Sequence, residues 1–539
     1  MNKIMILDCT LRDGGYINGW NFGEETIKKV IHKLTESKID IIECGFLDEE
    51  GVDYNKSLFN SVERMREFIE PKEHHIMYVG MIAQPYIPIE LISECDGNSI
   101  DGIRLTFHED EIDEALVYGK QLIDKGYKVF IQPVGTTSYS DASLLDLIQR
   151  VNQLNPYAFY LVDTLGIMYK NDLLRMFHLL DHNLHDSISI GFHSHNNLQL
   201  SFSNAQELLT LPTKRNIIID SSVFGMGRGA GNLCTELITQ YINENIETRY
   251  ETIPLLQIID EHLNRISLEA KWGYSIPYFL AAIYRCHPNY AYHLINKQTL
   301  SVKSISAILS MIPRIKRDMY DKEHLEELYI NYQSNLIDDF HTLEELREMV
   351  QNRDLLVLAP GKSIENEKEE VQAFIRNENP YVISVNFIPQ FFCVDAVFIS
   401  NSKRFEKVED TFHQKNEAMS CITTSNITVS NKYTTLQVNY SDLLNENPMI
   451  ADNAALMLLK LLRRLSVKSV YFAGFDGFTI NQSTNYFTPN LNTNAKPEDL
   501  VKINDAIRQY LSFMEKKMEI QFITSTVYRD TVKEKVMKP

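Results

Sequence analysis

The sequence predicts an α/β chain with an N-terminal (β/α)8 TIM barrel, a helical extension and a C-terminal Rossmann-like α/β domain. Three observations carry this. From Ile4 to about residue 225, short runs rich in Val, Ile, Phe and Tyr alternate with stretches of helical periodicity, as buried parallel strands and their crossovers do. Eight such units fit that length, as a (β/α)8 barrel requires. A second alternation of the same kind begins near Asp354, after a helical interval.

The eight runs are residues 4–8, 40–44, 76–80, 102–106, 128–133, 158–163, 189–193 and 216–221. Between them lie segments such as 24–38 and 141–153, with apolar residues at helical spacing. Periodicity alone fits a doubly wound open sheet equally well. The polar residues favour the barrel: Asp8, Glu43, Arg104, Gln132, Asp163, His193 and His195 all fall at or just past the C-terminal ends of runs. A barrel gathers such ends on one face, where active sites are built. An open sheet spreads them along a line. The barrel is assigned residues 1–250, the helical extension 251–348 and the Rossmann-like domain 349–539. In the last, residues 355–363 read as strand, tight turn and helix start. Strands follow at 381–387, 396–400 and 467–474, with a helix at 452–465.

The bulk composition narrows the function. At 44% hydrophobic and 23% charged, the 539 residues are those of a globular chain. A net charge of −19 argues against nucleic acid as the main partner. Seven scattered cysteines with no CxxC argue against a disulfide framework or a structural zinc site. No run approaches the ~18 apolar residues of a membrane span, and no apolar signal segment opens the chain. A cytoplasmic location is expected.

Chemistry concentrates in three motifs. His193-Ser194-His195 places two imidazoles on one face of a strand, within reach of one cation. Hydrogen-bonded histidines without a metal fit that pattern too. Asp8-Cys9-Thr10-Leu11-Arg12-Asp13-Gly14-Gly15 leaves the first strand, so Asp13 is placed to give a hard oxygen ligand and Arg12 a fixed positive charge. A surface ion pair is the alternative for Arg12 and Asp13. Gly225-Met226-Gly227-Arg228-Gly229-Ala230-Gly231-Asn232 follows the eighth run. It reads either as a loop holding the substrate through Gly229 and Gly231 or as a glycine-permitted wall. It lacks the spacing of a dinucleotide fingerprint. Gln132 is a further substrate-binding candidate at the barrel mouth. Tyr274, Tyr278, His287 and Tyr290 are either site residues or helical core.

These motifs, in this order and with Glu43 between them, resemble the signature of the DRE-TIM metallolyase superfamily, which includes hydroxymethylglutaryl-CoA lyase, isopropylmalate synthase and 4-hydroxy-2-oxovalerate aldolase. The resemblance spans about residues 4–240. It implies that Asp13, His193 and His195 bind a divalent metal, manganese or magnesium with zinc as a further option, and that Asn232 completes the shell in some members. It implies that Arg12 stabilises an enolate of pyruvate or a related 2-oxo acid, that Glu43 orients Arg12, and that Asp163 lines the mouth as a catalytic candidate. The activity implied is that of a lyase, an EC 4.1.3-like aldolase with an aldehyde partner, here placed in cell-surface sugar-acid synthesis. An acyl-CoA-dependent synthase is the alternative. The resemblance also implies a homo-oligomer. One position departs from the aldolases: where they carry a histidine three residues after the Asp, this chain has Tyr16. The catalytic base is therefore sought at Tyr16, at His108 or in metal-bound water.

The C-terminal Ala359-Pro360-Gly361-Lys362-Ser363 is not a Walker loop, because Leu356 stands where its first glycine belongs. Gly361 instead permits a tight turn, and the helix start after it favours an anion. With Ser384–Phe387 and Gly474-Phe475-Asp476-Gly477, this region resembles bacterial sialyltransferase-like or pterin-pyrophosphokinase-like Rossmann domains. That resemblance implies a nucleotide or nucleotide sugar as ligand. A purely structural domain is the alternative.

Overall fold

A computed structural model describes residues 3–49, 51–297, 299–317, 319–414, 419–429, 435–479, 485–487 and 497–532. The chain forms two compact units, one of residues 1–289 with 317–319, the other of 290–316 with 320–539. The helical stretch expected over 251–348 is thus divided between them.

In the first unit, eight parallel strands close into a barrel: β1 (Ile4–Asp8), β2 (Ile41–Leu47), β3 (Met77–Ile82), β4 (Gly102–Phe107), β5 (Lys128–Pro133), β6 (Ala158–Asp163), β7 (Ser189–Ser194) and β8 (Ile217–Ser221). Each pairs with its neighbours in sequence, and β1 closes the ring by pairing with both β8 and β2. Side chains alternate. Met5, Leu7, Ile41, Val79, Phe130, Tyr160 and Ile218 form a cluster separate from the larger core that holds Ile6, Ile42, Ile103, Ile131, Leu161 and Ile219. The first set fills the barrel and the second meets the helices, the two faces of a period-two strand. Filling is by interdigitation: Tyr160 lies opposite Gly191 on the neighbouring strand, and a Cβ there would stand 2.3 Å from the Tyr160 ring.

The outer helices form for local reasons. Glu24–Glu36 buries Ile27, Val30, Ile31 and Leu34, one stripe at helical spacing. Asp141–Leu154 starts where the Ser140 hydroxyl accepts from the Ser143 N–H, and ends at Asn155 in the left-handed region. Burying each such Leu or Ile side chain contributes about 1.5–3 kcal/mol. One strand runs past its expected end. The break that Gly45 signals after Cys44 is a bulge between Glu43 and Phe46, through which β2 continues to Leu47.

The second unit is built on a seven-stranded parallel sheet: β9 (Leu355–Leu358), β10 (Tyr381–Val385), β11 (Ala396–Ile399), β12 (Ser420–Thr424), β13 (Leu436–Val438), β14 (Ser469–Ala473) and β15 (Glu519–Phe522), in the spatial order β13-β12-β11-β10-β9-β14-β15. The winding reverses between β9 and β14, as in a doubly wound fold. The helix Ala454–Arg464 starts under an Asn453 cap, and its Leu458, Leu461 and Leu462 belong to a core with Val357, Ile383 and Phe472. Among the described residues no helix is long and apolar enough to cross a membrane.

Candidate active site at the carboxyl end of the barrel

The strands deliver their last inward residues to one place. Asp13 follows β1, while His193 and His195 lie at and just after the end of β7. One ligand atom of each lies within 4.8 Å of the others, so the three can hold a single metal ion. They are almost closed off from solvent, at 2%, 4% and 9% exposure. The imidazole rings stand perpendicular, their centroids 5.2 Å apart.

Two features suit this group to a divalent cation. Nδ1 of His193 is 2.9 Å from Oδ2 of Asp220, which leaves Nε2 for a ligand bond. Nδ1 of His195 is buried without a hydrogen-bond partner, 4.0 Å from Oδ2 of Asp13. Burial holds the His195 pKa down to about 4, against the pull of Asp13, so its ring is neutral and able to ligate at neutral pH. For Asp13, burial acts upward. Arg12 and then the two histidines outweigh it and keep the carboxylate ionised well below the usual range.

Around this group runs a chain of buried charges. Arg12 donates from Nη1 to Asp13 Oδ1 at 2.7 Å and from Nε to Glu43 Oε2 at 2.8 Å. Arg104, with no exposed surface, reaches the same Glu43 oxygen at 2.7 Å and also pairs with Asp220. Burial raises the Asp220 pKa, but Arg104 and His193 reverse the direction, so it stays anionic. Asp220 was not anticipated from the sequence. The remaining guanidinium nitrogen of Arg12, Nη2, is buried and has no partner, although burying an unpaired charged donor is costly.

The expected residues divide by their contacts. Glu43 accepts from Arg12 through the oxygen that Arg104 also reaches. The Asn232 amide nitrogen donates to Asp13 Oδ2 at 2.5 Å, while its own oxygen is buried and unpartnered. Gln132 is 3% exposed with its amide nitrogen unpartnered. Asp163 serves the backbone instead. Its two oxygens accept from the Ile167 and Met168 N–H groups, each at 2.9 Å, which fixes the loop after β6. Burial nonetheless lifts its pKa to about 6.

The glycine loop is a wall tied to that loop. Asn197 donates to the Leu165 carbonyl and accepts from the Ala230 N–H, both at 2.9 Å. Gly229 and Gly231 adopt φ of 72° and 83°, and a Cβ on Gly231 would lie 2.1 Å from the Gly225 carbonyl oxygen. Neither has a side chain to offer a substrate, so they act through backbone shape.

Tyr16 lies under Arg228, whose guanidinium is 5.7 Å from the ring centre, and its ring also meets Trp20 at 4.8 Å. Although the residue is 44% exposed, burial raises the phenol pKa, with Arg12 opposing. Such a phenol stays protonated at neutral pH and is a better donor than base. Of the aromatic and histidine candidates after residue 250, His287 contacts Arg228. Tyr290 is buried in the second unit, where its hydroxyl bonds the Lys316 carbonyl at 2.7 Å, and Tyr274 is 61% exposed.

In the second unit, the anion expected at the helix start after Gly361 is supplied by the chain itself. Asp476 accepts from the Ser363 N–H at 2.7 Å, and from the Ser363 hydroxyl, and so fills that position.

Comparison with known proteins agrees with the barrel. Residues 108–260 match the HMGL-like family model. A 4-hydroxy-2-oxovalerate aldolase from Geobacillus genomosp. 3 is 28% identical over 266 residues, covering 48% of this chain and 75% of the relative. An oxaloacetate decarboxylase from Mycobacterium tuberculosis is 24% identical over 238 residues, covering 43% and 68%. Among solved structures, an aldolase-type N-terminal domain from Bacteroides vulgatus superposes with a TM-score of 0.50 at 25% identity, covering 57% of this chain and all of that one.

Proposed function

From the match of residues 108–260 to the HMGL-like family, we propose that the protein is a divalent-metal-dependent aldolase. It makes or breaks a carbon–carbon bond beside the carbonyl of pyruvate or a related 2-oxo acid, with an aldehyde as the partner. The observation that carries this reading is the buried, unpartnered Nη2 of Arg12 beside the Asp13–His193–His195 group.

Asp13, His193 and His195 would hold the metal, manganese or magnesium by the hard-oxygen and imidazole donor set. When bound, such an ion acts as a Lewis acid toward a carbonyl. The chain's own residues do the rest. Arg12, clamped by Glu43 and Asp13, keeps its Nη2 amino group for the substrate oxygen on which negative charge grows, and pre-set donors of this kind cost no reorganisation at the moment of reaction. Asp220 keeps His193 in one tautomer and one orientation. Tyr16, protonated at neutral pH, would serve as the proton donor. The wall formed by Asn197 and the glycine loop limits water.

The direct test is deuterium uptake at the pyruvate methyl, followed by proton NMR with and without Mn2+. We expect metal-dependent exchange that Asp13→Asn and Arg12→Ala both abolish. No exchange in folded, metal-loaded protein would overturn pyruvate as the donor.

A further inference from the structure

We propose, resting on the aldolase reading of the barrel, that Arg228 binds an anionic group, a carboxylate or a phosphate ester, carried by the aldehyde partner, and so selects that partner. The other two arginines of the site have their charges matched: Arg12 is paired with Asp13 and Glu43, and Arg104 with Glu43 and Asp220. Arg228 forms no ion pair among the described residues, within a chain of net charge −19. It lies over the Tyr16 ring, 5.7 Å from its centre, and donates from Nη2 to Nε2 of His287. Tyr16 is an uncharged phenol, and burial, then Arg228 itself, hold the His287 pKa at about 4, so that imidazole is neutral as well. Both contacts hold the guanidinium without cancelling its charge. A half-buried cation left so gives up solvation that a bound anion restores.

The glycine loop fixes where this charge stands. Arg228 lies between Gly227 and Gly229, in the loop after β8. A Cβ on Gly227 would stand 2.6 Å from Oδ2 of Asp13, and one on Gly229 would stand 2.9 Å from Oδ1 of Asn197. On either side of Arg228 the backbone is thus pressed against the candidate metal ligands and the wall beside them. Its charge is felt at His195 and at Tyr16. The two guanidinium groups differ in depth. Arg12 is buried beside Asp13, where the oxo acid is expected, whereas Arg228 covers the exposed Tyr16 at the rim.

That placement assigns the anion to the second substrate. In the proposed aldol step the methyl carbon of the oxo acid loses a proton and bonds to the aldehyde carbon, and the aldehyde oxygen takes up a proton. With Tyr16 as the donor of that proton, the aldehyde approaches from the Tyr16 side. Whatever its carbon chain carries beyond the carbonyl then falls toward Arg228. A guanidinium presents a planar fork of N–H donors that matches the oxygens of a carboxylate or a phosphate. A hydrocarbon tail would leave the same cation uncompensated.

Pyruvate-dependent consumption of four aldehydes by the Mn2+-loaded full chain tests this. Succinic semialdehyde and glyceraldehyde 3-phosphate are each set against an uncharged counterpart, butanal and glyceraldehyde. We expect one anionic aldehyde to exceed its counterpart roughly 10–100-fold in kcat/KM, the worth of a hydrogen bond to a charged group. Which of the two does so tells carboxylate from phosphate. Arg228→Met should erase that advantage through KM, and Arg228→Lys should restore part of it. A merely structural Arg228 would instead weaken charged and uncharged aldehydes alike, and that result overturns the proposal. So does an advantage that survives in Arg228→Met, or a wild type that consumes the uncharged pair as readily as the anionic one. If no aldehyde is consumed, the aldolase reading fails by itself and calorimetry decides the anion site. Titration of 4-hydroxybutyrate and glycerol 3-phosphate into protein holding Mn2+ and oxalate should still show binding that Arg228→Met weakens roughly ten-fold or more. No binding, or equal binding by the variant, overturns the anion site too.

Discussion

Asp220 and Arg104 are the residues on which the barrel site depends without touching the three ligand atoms it groups. If Asp220 fixes the tautomer of His193, then Asp220→Asn should lower Mn2+ affinity by roughly 10–100-fold. Competition against a fluorescent chelator measures this, and an unchanged affinity removes Asp220 from the metal's support. Arg104→Met should cost about 3–5 kcal/mol of stability, since it leaves Glu43 and Asp220 buried without their shared cation. Urea denaturation reads that cost. His287 governs a pH effect. Burial, and then Arg228, hold its pKa at about 4, below the ~6.5 of an unfolded histidine. Its contribution is therefore complete above pH ~6.5 and is lost as pH falls toward 4, because the unfolded chain takes up the proton first. Between pH 7 and 4.5 the urea midpoint of wild type should drop further than that of His287→Gln. The pairing of His193 with His195 was legible in the sequence because a strand's period of two puts both on one face. Asp220 was not, because an aspartate near a strand end looks like any turn residue. Its meaning comes from the β1–β8 register, which sets it level with Leu7 inside the barrel.

At the level of elements, the barrel depends on how its strands fill one another. Gly191→Ala drives a methyl into the Tyr160 ring, and we expect a loss of about 1–3 kcal/mol, read from the urea midpoint. All eight barrel strands were legible, since each is a short apolar run between polar flanks. The continuation of β2 past Gly45 was not, because a glycine that makes a bulge carries the same letter as one that ends a strand. The role of Asp163 was hidden for a related reason: its partners are the backbone N–H groups of Ile167 and Met168, and the backbone leaves no mark in a sequence. In the second unit Gly361 was rightly taken as a tight turn. The anion assigned to the helix start beyond it proved to be Asp476, more than a hundred residues away in sequence.

For the whole molecule, each unit has its own hydrophobic core, the first from Ile6 to Leu263 and the second from Leu346 to Tyr528. Calorimetry should resolve two unfolding transitions. A ligand raises the midpoint of the unit that binds it, so Mn2+ should raise one midpoint and leave the other in place. A single transition would contradict independent cores. The boundary between the units could not be read from composition, because residues 317–319 return to the first unit after 290–316 have joined the second. The return is fastened by the His287 N–H, which donates to the Arg317 carbonyl at 2.7 Å. On the ribosome this fastening comes late. When His287 has emerged, its backbone partner has yet to be synthesised, and at roughly 5–20 residues per second the wait lasts a few seconds. The nascent barrel must pass that interval with its last turn unfastened. Its completion is therefore timed by a stretch of chain that the other unit will keep.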